Sequence, residues 1–255
     1  MFDSHFHIFP AAHGTLGARY VPSYRASFQT WQSEATVVGI THGVLVQPSF
    51  LGCDNQLLLK TLTQNNATLR GIVVVTPDVN RDALEQMNAI GVRGIRLNLA
   101  GQSHAIPEWS EARHLWEALL HLGWHLEVHT DQGKLPQVLA QLPVDVPLVI
   151  DHMGKPCGAS KFDESIATLL KRSKQSPVHV KLSGAYRLKG INPKEVSQVW
   201  LDELGADRLL WGSDWPCTNH ESEANYPALF HSLKDWVGEQ NLRPVLVTNP
   251  QTLYE

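Results

Sequence analysis

Short apolar, β-branched runs alternate with longer amphipathic stretches along this chain, and that alternation constrains its fold more than any other feature. Eight strand candidates stand out: Phe2–Ile8, Gly43–Gln47, Leu69–Val75, Gly94–Asn98, His125–His129, Pro147–Asp151, Val178–Leu182 and Leu209–Trp211. Runs such as GIVVV, PLVI and RLLW are apolar throughout, as strands buried on both faces of a parallel sheet are. Helical patterns fill most of the intervals, over Asp54–Gln64, Asp82–Ile90, Ser110–Leu122, Asp163–Arg172, Pro193–Leu204 and Tyr226–Val237. In the third of these Ser110 reads as an N-cap, and Leu115, Leu119 and Leu122 form one stripe. Alternating strand and helix implies right-handed parallel crossovers. Eight such units in 255 residues match an α/β fold of the (β/α)8 TIM-barrel type, one domain over residues 1–255 with its site at the C-terminal strand ends. The rival is a doubly wound open sheet, which carries a glycine-rich phosphate loop after its first strand; here PAAHG follows that strand. The first connection, from Phe9 to about Trp31, is long enough to fold over a site as a lid.

Composition narrows the partners. Lys and Arg number 21 against 25 Asp and Glu, a net charge of −4 without a basic cluster, which argues against nucleic acid. No apolar run reaches the length of a membrane span. The opening MFDSHFHIFPAAHG has neither the basic nor the apolar part of a secretory signal. Three cysteines (Cys53, Cys157, Cys217), with no CxxC spacing, point to a reducing compartment, so the expected location is cytoplasmic. A small molecule is the expected partner; the sequence is silent on oligomeric state.

Chemistry-bearing residues collect at the predicted strand ends. His5 and His7 share a face of strand one, because side chains two apart on a strand do. Such a pair can hold one cation or one polarised carbonyl, or merely satisfy core polar groups. His129 ends strand five, His152 follows strand six, and Asp214 follows strand eight. Barrel closure brings these ends to one mouth. Asp214 is the expected general base, the rival role being a cap on the following helix. His5, His7 and His152 would stabilise the developing oxyanion, directly or through a metal. Glu127 reads as a buried neighbour of the site, and Lys181 as either an internal salt bridge or a solvated strand end.

HxH on strand one, His after strands five and six and Asp after strand eight resemble the pattern of the amidohydrolase superfamily. FDSHFHIF, GVRGIRLN, VIDHMGKP, LLWGSDWP and TNPQTLYE are similar to its amidohydrolase-related branch, which contains pyrone-dicarboxylate and sugar lactonases. The resemblance spans nearly the whole chain. It implies a hydrolase that opens a small, carboxylate-bearing lactone by Asp-activated water. It also implies a ligand set of His5, His7, His129, His152 and Asp214 if a divalent ion (Zn or Mn) is bound. Most of the superfamily uses a metal and the pyrone lactonase does without one, so both states stay open. Arg96 and Arg187 match positions of substrate-carboxylate binders in the branch, and a planar guanidinium grips a carboxylate through two parallel bonds. Arg96 shares strand parity with Gly94 and Asn98; Arg187 has the rival reading of a surface charge.

One departure bears on the substrate. The branch carries a further basic stretch after strand four, where this chain has Leu99–His104 with no Arg or Lys. A monocarboxylate or a sugar lactone therefore fits as well as a dicarboxylate. Gln47, Ser49, Tyr20 and Tyr186 are candidate substrate contacts or ordinary loop polarity. Trp31, Trp109, Trp211 and Trp215 could line the mouth, although aromatics more often pack. The alternatives in other classes are a metal-dependent decarboxylase of an aromatic or muconate-type acid, and a barrel that binds a metabolite without turning it over.

Overall fold

The structure is a computed structural model that describes residues 1–255. Its eight strands are β1 (Phe2–Phe6), β2 (His42–Val46), β3 (Leu69–Val73), β4 (Val92–Asn98), β5 (His125–His129), β6 (Leu148–Ile150), β7 (Val178–Leu182) and β8 (Leu209–Trp211). They pair in sequence order, every pairing parallel. The ends of the sheet meet beyond β8, where the Asp214 N–H donates to His5 O and the His7 N–H donates to Trp215 O, each at 2.8 Å. The predicted barrel is therefore the observed architecture.

Closure depends on two residues. Gly212 lies so close to β1 that a Cβ there would stand 2.5 Å from that of His5. Asp3 then fastens the seam: its carboxylate accepts from the Ser213 N–H and Oγ, the His5 N–H, the Trp31 Nε1–H and the Tyr226 hydroxyl. One buried anion thus ties β1 to the strand-eight end and to the helices on either side. The sequence reading passed over Asp3, whose partners other than His5 come from segments 28 to 223 residues away.

Ten α-helices surround the barrel: α1 (Phe28–Val37), α2 (Gln56–Asn65), α3 (Arg81–Ala89), α4 (Pro107–Ser110), α5 (Arg113–Leu122), α6 (Leu135–Leu139), α7 (Glu164–Arg172), α8 (Pro193–Leu204), α9 (Tyr226–Val237) and α10 (Asn249–Tyr254). The third predicted helix is two. Ser110 ends the short α4, its hydroxyl donating back to Pro107 O at 2.7 Å, so it caps nothing; α5 starts at Arg113. The first connection is as long as expected but lies about three residues earlier, because β1 ends at Phe6 and α1 begins at Phe28 behind a Ser27 cap that accepts from the Thr30 N–H. No helix is long and apolar enough to cross a membrane.

The barrel interior is layered. Val44, Ile72, Val149, Leu210 and Tyr254 form an apolar plug. Arg70 and Arg93 hold the carbonyl of Tyr254 at 3.1 Å, which locks α10 across that end. Toward the C-terminal strand ends the lining turns polar. There Arg96 pairs in register with Glu127, and Asn98 with His129.

Candidate active site

The mouth holds a cavity of about 140 Å³ lined by His7, His129, His152, Asp214, Arg96 and Arg187, with Tyr20, Ser49, Arg19 and Asn98 among its walls. A second cavity of about 310 Å³ adjoins it through Ser49, Arg96 and Asn98. Three guanidinium groups and one carboxylate face the first cavity, so its field favours an anionic ligand.

Asp214 sits in a left-handed backbone conformation (φ 58°), which turns its carboxylate back over the barrel. Its Oδ2 accepts from the Tyr186 hydroxyl and from Arg187 Nε, both at 2.7 Å. Oδ1 faces His7 Nε2 at 3.4 Å and His5 Nε2 at 3.7 Å. Burial raises the carboxyl pKa, but the Arg187 guanidinium, above all, outweighs it and holds the group well below the usual carboxylate range. The rival role as a helix cap does not apply: α9 starts twelve residues later behind Asn225, whose side chain accepts from the Ala228 N–H.

The imidazoles are set by their partners. His7 Nδ1 stands 2.7 Å from the Val46 carbonyl, which can only accept, so Nδ1 carries the proton and Nε2 offers a lone pair to the cavity. His152 Nδ1 lies 3.0 Å from Ser183 Oγ, which also accepts the His152 backbone N–H. The Ser183 hydroxyl is then free to donate to Nδ1, leaving the His152 proton on Nε2. Burial above all lowers His152, to a pKa of about 3, so the ring is a neutral donor at physiological pH. Gly184 makes this fit possible: a Cβ there would stand 2.6 Å from His152 Nδ1.

His5 lies one layer deeper. Its Nδ1 is 3.1 Å from Asp151 Oδ1 and 3.2 Å from Lys181 Nζ. Its Nε2 is 3.3 Å from His7 Nε2. If Lys181 donates to Nδ1, the His5 Nε2–H donates to His7. If Nδ1–H donates to Asp151, two lone pairs face each other, an arrangement that suits a shared cation. His5, His152 and Asp214 also place ligand atoms within 4.8 Å of one another. These donors fit a divalent ion.

Several expectations need revision. Gln47 does not line the mouth: its amide donates to Gly52 O and Asp54 O and pins the turn after β2. Tyr186 acts on Asp214 rather than on the cavity wall. His129 packs against His152 (centroids 4.5 Å apart) and lines the cavity as expected of a mouth residue, with neither ring nitrogen partnered within the protein. None of the four tryptophans lines the first cavity: Trp31 stacks on Phe6 at 3.9 Å and Trp215 donates to Glu34, while Trp109 walls the adjoining second cavity. Lys181 is wholly buried against Glu127 and 3.5 Å from Asp151, the internal salt bridge of the two readings. Asp151, which also takes Arg96 Nε at 2.9 Å, was missed because a carboxylate beside a histidine in sequence gives no sign of facing the opposite strand.

A closed barrel that aims imidazoles and an ionised carboxylate at one anion-seeking cavity is equipped to drive water against a carbonyl. The chain belongs to the amidohydrolase family, whose profile matches residues 2–255, and it is a hydrolase of that superfamily. It is 27% identical to the 4-sulfomuconolactone hydrolase of Hydrogenophaga intermedia, over 99% of this chain and 88% of that protein. It is 26% identical to the 2-pyrone-4,6-dicarboxylate hydrolase of Comamonas testosteroni, over 99% and 89%. Among solved structures it is similar to that of a probable 2-pyrone-4,6-dicarboxylic acid hydrolase from Acinetobacter baumannii with citric acid bound. That match has a TM-score of 0.87 and 33% identity, and covers 99% of this chain and 98% of the other.

Proposed function

We propose that this enzyme opens a small, carboxylate-bearing lactone, with Asp214 as general base. The observation that carries the reading is the pair of acceptors at the cavity floor. Asp214 Oδ1 and His7 Nε2, 3.4 Å apart, both lack a proton, and both are open to a donor when His5 gives its Nδ1–H to Asp151. A water molecule has two O–H groups to give and fits such a pair, with its lone pair turned toward the substrate. Asp214 takes one proton as the water oxygen bonds to the lactone carbonyl carbon. The oxyanion that develops meets the neutral His152 Nε2–H. Collapse breaks the ring C–O bond, and the proton held by Asp214 passes to the departing ring oxygen. The product is an open-chain acid with one new carboxylate.

Arg96 and Arg187 orient the substrate anion. Each has one guanidinium edge engaged by Asp151 or Asp214, and both line the cavity. The hydrolases of sulfomuconolactone and pyrone dicarboxylate among the relatives support this substrate class. The unpaired state of all three cysteines supports a reducing, cytoplasmic setting.

His5, His152 and Asp214 would hold a divalent ion, with His7 beside them, and a bound Zn or Mn would polarise the carbonyl as a Lewis acid. Because the residues already supply a base, a water cradle and an oxyanion donor, turnover is expected to survive exhaustive dialysis against a strong chelator. The check is the rate of lactone opening alongside metal content by mass spectrometry. Activity lost on chelation and restored by Zn or Mn would instead assign the polarising role to the ion, and would bring metal-dependent decarboxylation back as a rival.

A further inference from the structure

The stretch Leu99–His104, whose Ala100 walls the mouth on the β4 side, carries no Arg or Lys. The fold supplies one from elsewhere. Arg19, carried on the connection between β1 and α1, reaches across the mouth and lies over Gly101, within that same stretch. A Cβ built on Gly101 would stand 2.6 Å from Arg19 Nη1 and 3.4 Å from its Cδ. Gly101 also has φ +67°, a conformation glycine adopts freely, and its absent side chain leaves the path of the arginine open.

Arg19 is a wall residue of the same cavity as Arg96, Arg187, His152 and Asp214. Its guanidinium has no anionic partner within the chain. Asp131, the carboxylate on the neighbouring loop, is taken by the Gly101 N–H at 3.0 Å and lies 3.9 Å from His104. By contrast Arg96 and Arg187 are each tied to a carboxylate. Lys155 senses the crowding: burial lowers its ammonium, Asp131 opposes this, and the charges of Arg187, Lys189 and Arg19 lower it further.

We propose that Arg19 is a specificity-determining residue that grips a second anionic group of the substrate on the β4 side of the mouth, with Arg96 and Arg187 holding the first. The inference rests on the reading that a lactone carboxylate enters this cavity, and it selects dianionic lactones over monocarboxylates and neutral sugar lactones.

The test compares the unsubstituted enzyme with Arg19→Ala and Arg19→Lys on 2-pyrone-4,6-dicarboxylate and on a monocarboxylated muconolactone. A charge-assisted hydrogen bond is worth about 1.5–3 kcal/mol, or roughly 10- to 150-fold. R19A is expected to raise KM for the dicarboxylate by about that factor with kcat changed less than about threefold. The monocarboxylate should shift less than about twofold, and R19K should recover part of the loss. Equal effects on both substrates, or no effect on either, would overturn the proposal. Calorimetric binding of benzene-1,3-dicarboxylate and of benzoate separates this inference from the lactone reading. If no lactone is opened yet the enzyme prefers the dianion and R19A abolishes that preference, the lactone reading falls and the role of Arg19 stands. An enzyme without that preference, or a preference that R19A leaves intact, removes the role of Arg19.

Discussion

Asp214→Asn is expected to lower kcat by about 10²- to 10⁴-fold while leaving the fold and anion affinity nearly unchanged. The asparagine side chain keeps the shape of the site. Its amide oxygen can accept from Tyr186 and Arg187, as Asp214 Oδ2 does at 2.7 Å from each. Its amide nitrogen then faces His7 Nε2, a lone pair, where Asp214 Oδ1 stood at 3.4 Å. Every hydrogen bond is therefore replaceable, but the amide cannot take a proton, and it turns one acceptor of the water cradle into a donor. The checks are initial rates of ring opening and calorimetric binding of benzene-1,3-dicarboxylate. A binding protein without catalysis would show no turnover before the substitution as well as after it. Residual activity within about tenfold of the unsubstituted enzyme would remove Asp214 from the role of base.

Lys181→Met should be the most destabilising conservative-volume change in the barrel, by about 3–5 kcal/mol. Lys181 is wholly buried, contacts Glu127 directly, and lies 3.5 Å from Asp151 and 3.2 Å from His5. Removing its charge leaves Glu127 without its cation and Asp151 with only Arg96 and His5 to balance it. Leaving one partner of a buried ion pair uncompensated costs more than replacing both. The double change Glu127→Gln with Lys181→Met should therefore recover part of the loss. Urea unfolding read as a change in midpoint at constant slope measures both. A single change costing under about 1 kcal/mol would show that the buried network contributes little to the fold.

The parts of this molecule most legible in sequence are those governed by short-range periodicity. Runs such as GIVVV and PLVI mark buried parallel strands because nothing polar interrupts them, and their number leads to the barrel. The parity of His5 with His7 and the strand-end positions of His129, His152 and Asp214 then lead to the cavity that His7, His129, His152 and Asp214 line. What stays hidden depends on partners that folding supplies. Gln47 is a polar residue at a strand end, like a substrate contact, until Gly52 O and Asp54 O claim its amide. Tyr186 looks like a ligand contact until its hydroxyl meets Asp214. Ser110 looks like a cap because the sequence does not reveal the break between α4 and α5. Arg19 is one polar residue in a long connection, and only its passage over Gly101 brings it to the mouth.

The account turns on water, activated by Asp214, attacking a lactone carbonyl. Running the enzyme on 2-pyrone-4,6-dicarboxylate and a monocarboxylated muconolactone in ¹⁸O-labelled water, with mass analysis of the product and of any CO₂ released, tests it most directly. The account predicts a ring-opened acid with one ¹⁸O in its new carboxylate, no CO₂, and loss of that product in Asp214→Asn. Release of CO₂, or an unlabelled product formed at an undiminished rate by Asp214→Asn, would contradict it.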